Sequence, residues 1–142
     1  MVPEKNSTSE LESVIPQAEV SAPVRILLAE DDRALRRFLE VVLERAGYKV
    51  IPAGDGLEAM KLALSTRIDI VVTDATMPNL SGHEFCRFLR NSQTLSHIPV
   101  ILLSALERKD PKENAEQVDA FLAKPVSGED LIACIEKLLA RK

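Results

Sequence analysis

Val24-Arg25-Ile26-Leu27-Leu28-Ala29-Glu30-Asp31-Asp32 passes within nine residues from an apolar run to three consecutive acids. A short apolar run with charge on either side describes a strand covered on both faces, the habit of parallel sheets. The pattern recurs down the chain. Lys49-Val50-Ile51, Ile70-Val71-Val72-Thr73, Val100-Ile101-Leu102-Leu103 and Ala120-Phe121-Leu122-Ala123 are bounded by charged, Gly or Pro residues and bring the strands, with Ile26–Ala29, to five.

Helical spacing fills the intervals. Leu35, Phe38, Leu39, Val42 and Leu43 share one face, and the helix they form should end at Gly47, a natural left-handed terminator. Asp32 is placed to cap it. Asp55-Gly56-Leu57-Glu58, Ser81-Gly82-His83-Glu84 and Ser127-Gly128-Glu129-Asp130 each set a side-chain acceptor before a helix and an acid three residues on, beside the free amides of the first turn. Between the last two strands, Asp110-Pro111 and the polar string Lys112, Glu113, Asn114, Glu116 and Gln117 leave little apolar face, so this helix should be short or mobile. Strands alternating with helices through right-handed crossovers give an α/β fold, a doubly wound three-layer sandwich that binds ligands beyond the carboxyl ends of its strands.

Composition narrows the class. The chain has 142 residues, room for one domain, with 46% hydrophobic residues but only 4% aromatic and no Trp, so its core is aliphatic and it lacks stacking platforms for bases. A net charge of -4 leaves no footprint for gripping nucleic acid or an anionic membrane. Residues 1–23 hold one Lys against four Glu, a balance of -3, and are rich in Ser, Glu and Pro with few apolar residues. They read as a flexible N-terminal extension, and residues 24–142 as the folded domain. Cys86 and Cys134 lie in apolar helical patterns as small hydrophobes, while His83 and His97 lack partners at triad or metal spacing. With no signal-peptide character and no long apolar run, the expectation is a cytoplasmic protein.

At the strand ends stand Glu30-Asp31-Asp32, Asp74, Ser104 and Lys124. Taken singly, the acids could be caps or turn residues and Lys124 a solvated cation; a twisted parallel sheet instead gathers them in one crevice. Crowded carboxylates repel unless a cation sits among them, and an oxygen-only donor set with phosphate nearby favours Mg²⁺. The loop Ala75-Thr76-Met77-Pro78-Asn79-Leu80 lets the Thr76 carbonyl turn inward, and Pro125 permits a cis Lys124-Pro125 bond that aims the lysine.

Arg25–Asp32, Asp74 with Met77-Pro78 and Gly82, Ser104-Ala105 and Lys124-Pro125, in that order, resemble the receiver domain of two-component response regulators, of the chemotaxis-regulator type, either standing alone or cut from a longer regulator at Lys142. The resemblance covers residues 24–142 and implies the flavodoxin-like (βα)5 form with parallel strand order 2-1-3-4-5. It implies that Asp74 accepts a phosphoryl group, that Glu30, Asp31, Asp74 and the Thr76 carbonyl hold Mg²⁺, and that Ser104 and Lys124 read the phosphoryl group. Phe121 would change rotamer as the hydroxyl moves, remodelling a partner-binding face that is also where a phosphorylation-dependent dimer would form.

The implied partners are a sensor histidine kinase or phosphotransfer protein and a downstream effector, with no direct nucleic acid or membrane contact. Such a protein is a switch, not an enzyme, apart from slow autodephosphorylation, which an apolar Leu106 at the site mouth should retard. Ser104 stands where Thr is commoner, and Gln117 where Gly often precedes the fifth strand. Two alternatives stay open: a degenerate pseudo-receiver that only binds protein, and a Mg²⁺-dependent phosphohydrolase, although the latter wants a second acid where Thr76 stands.

Overall fold

The computed structural model describes residues 22–105 and 117–141. In chain order they form β1 (Arg25–Ala29), α1 (Arg33–Arg45), β2 (Lys49–Ala53), α2 (Gly56–Ser65), β3 (Ile70–Asp74), α3 (Gly82–Arg90), β4 (Val100–Ser104), β5 (Ala120–Ala123) and α4 (Gly128–Ala140). The leader expected at 1–23 falls almost wholly outside the described residues, as do Leu106 and most of the helix expected between β4 and β5.

All strand pairs are parallel, in the order β2-β1-β3-β4-β5. Strand periodicity builds the three layers. Leu27, Ala29, Val71, Val100 and Leu102 face a core shared with Ala59 and Ala63 of α2 and Phe85, Cys86 and Leu89 of α3. The alternating Ile26, Leu28, Ile70, Val72, Ile101 and Leu103 face Leu39 and Leu43 of α1 and Leu131, Ile135 and Leu138 of α4. Each fully buried Val, Leu, Ile or Phe among them contributes roughly 1.5–3 kcal/mol, so the central strands β3 and β4, buried at every position, anchor the fold.

The caps form as their sequences require. Asp32, Asp55, Ser81 and Ser127 accept the amides of Leu35, Glu58, Glu84 and Asp130 at 3.1, 2.9, 3.1 and 3.0 Å. Glu84 returns a carboxylate oxygen to the Ser81 amide at 2.9 Å, closing a capping box. α1 gives way at Ala46 to Gly47, whose φ of 98° only glycine adopts cheaply. β2 runs on to Ala53 through Pro52, two residues past its apolar run; Pro52 is exposed on an edge strand, where its missing N–H breaks no ladder. His83, in the first turn of α3, is half-buried, and of the two cysteines Cys86 is buried and Cys134 half-buried.

Candidate functional site

β1, β3 and β5 end side by side with β4 between the last two, and each delivers polar side chains just where its hydrogen-bond ladder stops. Asp74 and Ser104 are the final residues of β3 and β4, Glu30 and Asp31 directly follow β1, and Lys124 directly follows β5. Carboxylate oxygens of Glu30, Asp31 and Asp74 all lie within 4.8 Å of one another. The Lys124 ammonium sits 3.1 Å from Asp74 Oδ1 and 3.3 Å from Glu30 Oε1. Four residues from three remote stretches of the chain therefore share one charge cluster.

Burial governs its electrostatics. Glu30 is wholly buried and Asp74 is 6% exposed, whereas Asp31 opens to solvent. Loss of water raises the Glu30 carboxyl above the usual carboxylate range and the Asp74 charge adds to the rise, outweighing the Asp32 amide, 3.1 Å from Oε2, and Lys124. Burial pushes Lys124 down, but its hydrogen bond to Asp74 and the charge of Glu30 prevail and hold its pKa above normal. Glu30 Oε1 feels the ammonium without the alignment of a hydrogen bond and is otherwise orphaned inside the protein.

A buried oxygen lacking a hydrogen-bond donor, among clustered carboxylates and no nitrogen or sulfur donor, fits a hard divalent cation. Among the described residues, Glu30, Asp31 and Asp74 are the group of side chains placed to hold one.

The other site residues occupy the rim. Thr76 is exposed, and its amide points at Asp74 Oδ1 across 3.4 Å. Ser104 is 7% exposed, one position beyond the Asp74–Leu103 pair, and its carbonyl accepts the Lys124 amide at 2.8 Å. Phe121 pairs with Leu102 and is half-buried against the α2 and α3 core, away from the carboxylates' side of the sheet. Lys124-Pro125 is cis. An open pocket of about 640 Å³ adjoins Lys124, with Leu35, Phe38 and Val126 among its walls.

Two supports escaped the sequence. Arg36 reaches back from α1 to donate to the Glu30 carbonyl at 2.7 Å, fixing the backbone beneath the buried acid. Asn79 and Asp55 join the loop after β3 to the start of α2 at 3.3 Å. A charged residue one turn into a helix and an Asn-Leu turn are the signals, and both are too common to be distinctive.

Residues 26–136 match the response regulator receiver domain family. Response regulator MprA of Mycobacterium sp. (strain KMS) is 42% identical over 123 residues, covering 84% of this chain and 52% of MprA. The chain thus spans about half the length of the curated relatives it matches. A Francisella response regulator receiver domain is 33% identical with a TM-score of 0.76, over 83% of this chain and 98% of that one. The Thermotoga maritima response regulator TrrA, solved in complex with Mg(2+)-BeF, is 29% identical with a TM-score of 0.74, over 81% and 98%.

The chain belongs to the receiver domain family of two-component response regulators. Its fold is the flavodoxin-like one of the chemotaxis regulators, and its function is that of a response regulator receiver domain. Among the described residues no helix is long and apolar enough to cross a membrane.

Proposed function

We propose that Asp74 takes a phosphoryl group from a histidine kinase or phosphotransfer protein, in a Mg²⁺-dependent reaction, and that the domain spans residues 24–142. The family match over 26–136 supports the boundary. The observation that carries the reading is the Lys124 ammonium set 3.1 Å from Asp74 and 3.3 Å from the buried Glu30.

One Asp74 oxygen attacks phosphorus, the donor's P–N bond breaks, and the imidazole nitrogen keeps the electron pair and is reprotonated. The product is an acyl phosphate. Such transfer needs positioning and charge neutralisation more than covalent help. Lys124 holds Asp74 in place and meets negative charge as it gathers on the phosphoryl oxygens. Glu30, Asp31, Asp74 and the Thr76 carbonyl would hold Mg²⁺, which supplies further positive charge there; TrrA with Mg(2+)-BeF is the structural precedent. The pocket beside Lys124 leaves room for the donor's side chain to approach.

Once phosphorylated, Asp74 offers new acceptors; the Ser104 hydroxyl turns to meet them, and Phe121 repacks to alter the surface read by an effector. Autodephosphorylation is slow, and Leu106→Glu should accelerate it. The test is intact mass after incubation with phosphoramidate and Mg²⁺. The parent should gain one phosphoryl group, and Asp74→Asn or a chelated sample should gain none. An unmodified parent, or an equally modified Asp74→Asn, would overturn the assignment.

A further inference from the structure

The loop from Ala75 to Ser81 is pinned at both ends and crosses the site between the pins. At its start the Ala75 amide donates to the Leu103 carbonyl at 2.8 Å, and the Ala75 carbonyl accepts the Gly82 amide at 2.9 Å. The far pin lies at the N-cap of α2, an element that contributes no group to the carboxylate cluster. Asn79 donates from Nδ2 to Asp55 Oδ2 at 3.3 Å, while Asp55 Oδ1 caps the Glu58 amide at 2.9 Å. The next residue, Leu80, packs so tightly on Gly56 that a Cβ there would overlap the Leu80 carbonyl.

Asn79 reaches Asp55 from a φ of 71°, a left-handed conformation that costs most residues about 1–2 kcal/mol and that Asn tolerates best after Gly. The Leu80 amide spans that turn with a hydrogen bond to the Pro78 carbonyl at 2.8 Å, and the buried Met77 anchors it from below; Asp55 adds the side-chain partner that ties the turn to the start of α2. Each carboxylate oxygen of Asp55 has a separate task, one toward the helix and one toward the loop.

We propose that Asn79 and Asp55 are a positioning pair for the divalent cation, acting through the loop that carries the Thr76 carbonyl. The inference rests on the metal assignment of the preceding section. Neither side chain touches the cation; together they restrict the backbone three residues away, so that its carbonyl is preset instead of being ordered at the moment of binding. Pre-ordering of this kind appears as cation affinity.

The experiment is Mg²⁺ titration of the full chain by calorimetry, with metal-free melting recorded for each protein. Asp55→Ser keeps a good cap for Glu58 but has no second oxygen for Asn79. Asn79→Gly keeps the left-handed turn but has no donor. Each should weaken Mg²⁺ binding about threefold to tenfold, below the usual effect of groups that hold a metal ligand directly. The exchange Asp55→Asn with Asn79→Asp reverses donor and acceptor, retains the cap and the total charge, and should restore affinity to within about twofold of the parent.

Binding unchanged in both single variants, or an exchange variant as weak as they are, would overturn the pair. A loss of affinity matched by collapse of the metal-free melting temperature would do the same, since it would show general unfolding. Parent protein that fails to bind Mg²⁺, or binds it equally well as Asp31→Asn, would remove the metal assignment itself and the pair with it.

Discussion

Glu30 is the residue on which the most opposing forces meet. Burial, followed by repulsion from Asp74, raises its pKa in the fold, so the folded chain prefers it protonated. The resulting stability is fully present below the ordinary glutamate range and is lost as pH rises through the raised folded value. Urea midpoints of the metal-free protein, compared with Glu30→Gln to cancel other carboxylates, should therefore favour the parent less as pH rises across that interval. A Mg²⁺ ion held at the proposed site would compete with the same proton, so its affinity should increase over the same pH range. Lys124 is the counterpart. Its raised pKa keeps it charged throughout, and Lys124→Met strands two buried carboxylates. At 27% side-chain exposure this should cost about 2 kcal/mol without metal, and saturating Mg²⁺ should restore much of it, read as the shift in urea midpoint with and without the ion.

Among the elements, the turn into α3 places Asp74. Gly82 has no Cβ to meet the Asp74 carbonyl, and one added there would also lie 2.9 Å from Ala75 Cα, so backbone rather than a pliable side chain would have to move. Gly82→Ala should cost about 3 kcal/mol by overpacking and weaken Mg²⁺ binding as Asp74 shifts. Gly47→Ala meets no atom within 4 Å and suffers only from its φ of 98°, a cost of about 1 kcal/mol with metal affinity intact. Chemical unfolding and calorimetry on the two variants separate the mechanisms. Ser81→Ala, which opens the capping box, should cost about 1 kcal/mol. The start of each of these helices was legible because a cap needs one side chain within three residues of its amides. The end of β2 was not: Pro52 reads as a break in any strand, and only its place on the sheet edge, a property of the assembled fold, makes it harmless.

Across the whole molecule, two aliphatic layers sandwich a sheet whose central positions admit no water, and the thiols report on that sealing. Burial pushes the Cys86 thiol up to about 12 despite the nearby Arg90, whereas Cys134 is only half-buried. Burial raises the Cys134 thiol as well, so iodoacetamide should modify Cys134 slowly but ahead of Cys86, which reacts only at the rate of global opening, as peptide mass mapping over time would show; early labelling of Cys86 would mean that the α3 layer opens separately. The same contrast explains what could be read without coordinates. Glu30, Asp31, Asp74, Ser104 and Lys124 were legible because parallel strands with short apolar spans must place their exits together. The Arg36 bridge to the Glu30 carbonyl and the Asn79 tie to Asp55 were not, because each depends on where two backbones approach after packing.

Lys124 enters from β5, while every carboxylate it neutralises lies before β4. Neither half of the polypeptide can assemble the centre by itself: a fragment ending at Ser104 would carry self-repelling acids, and its complement a solitary amine. Charge balance at the crevice is thus a check on completed folding, so a chain that has not yet docked its final strand is poorly equipped to receive a signal.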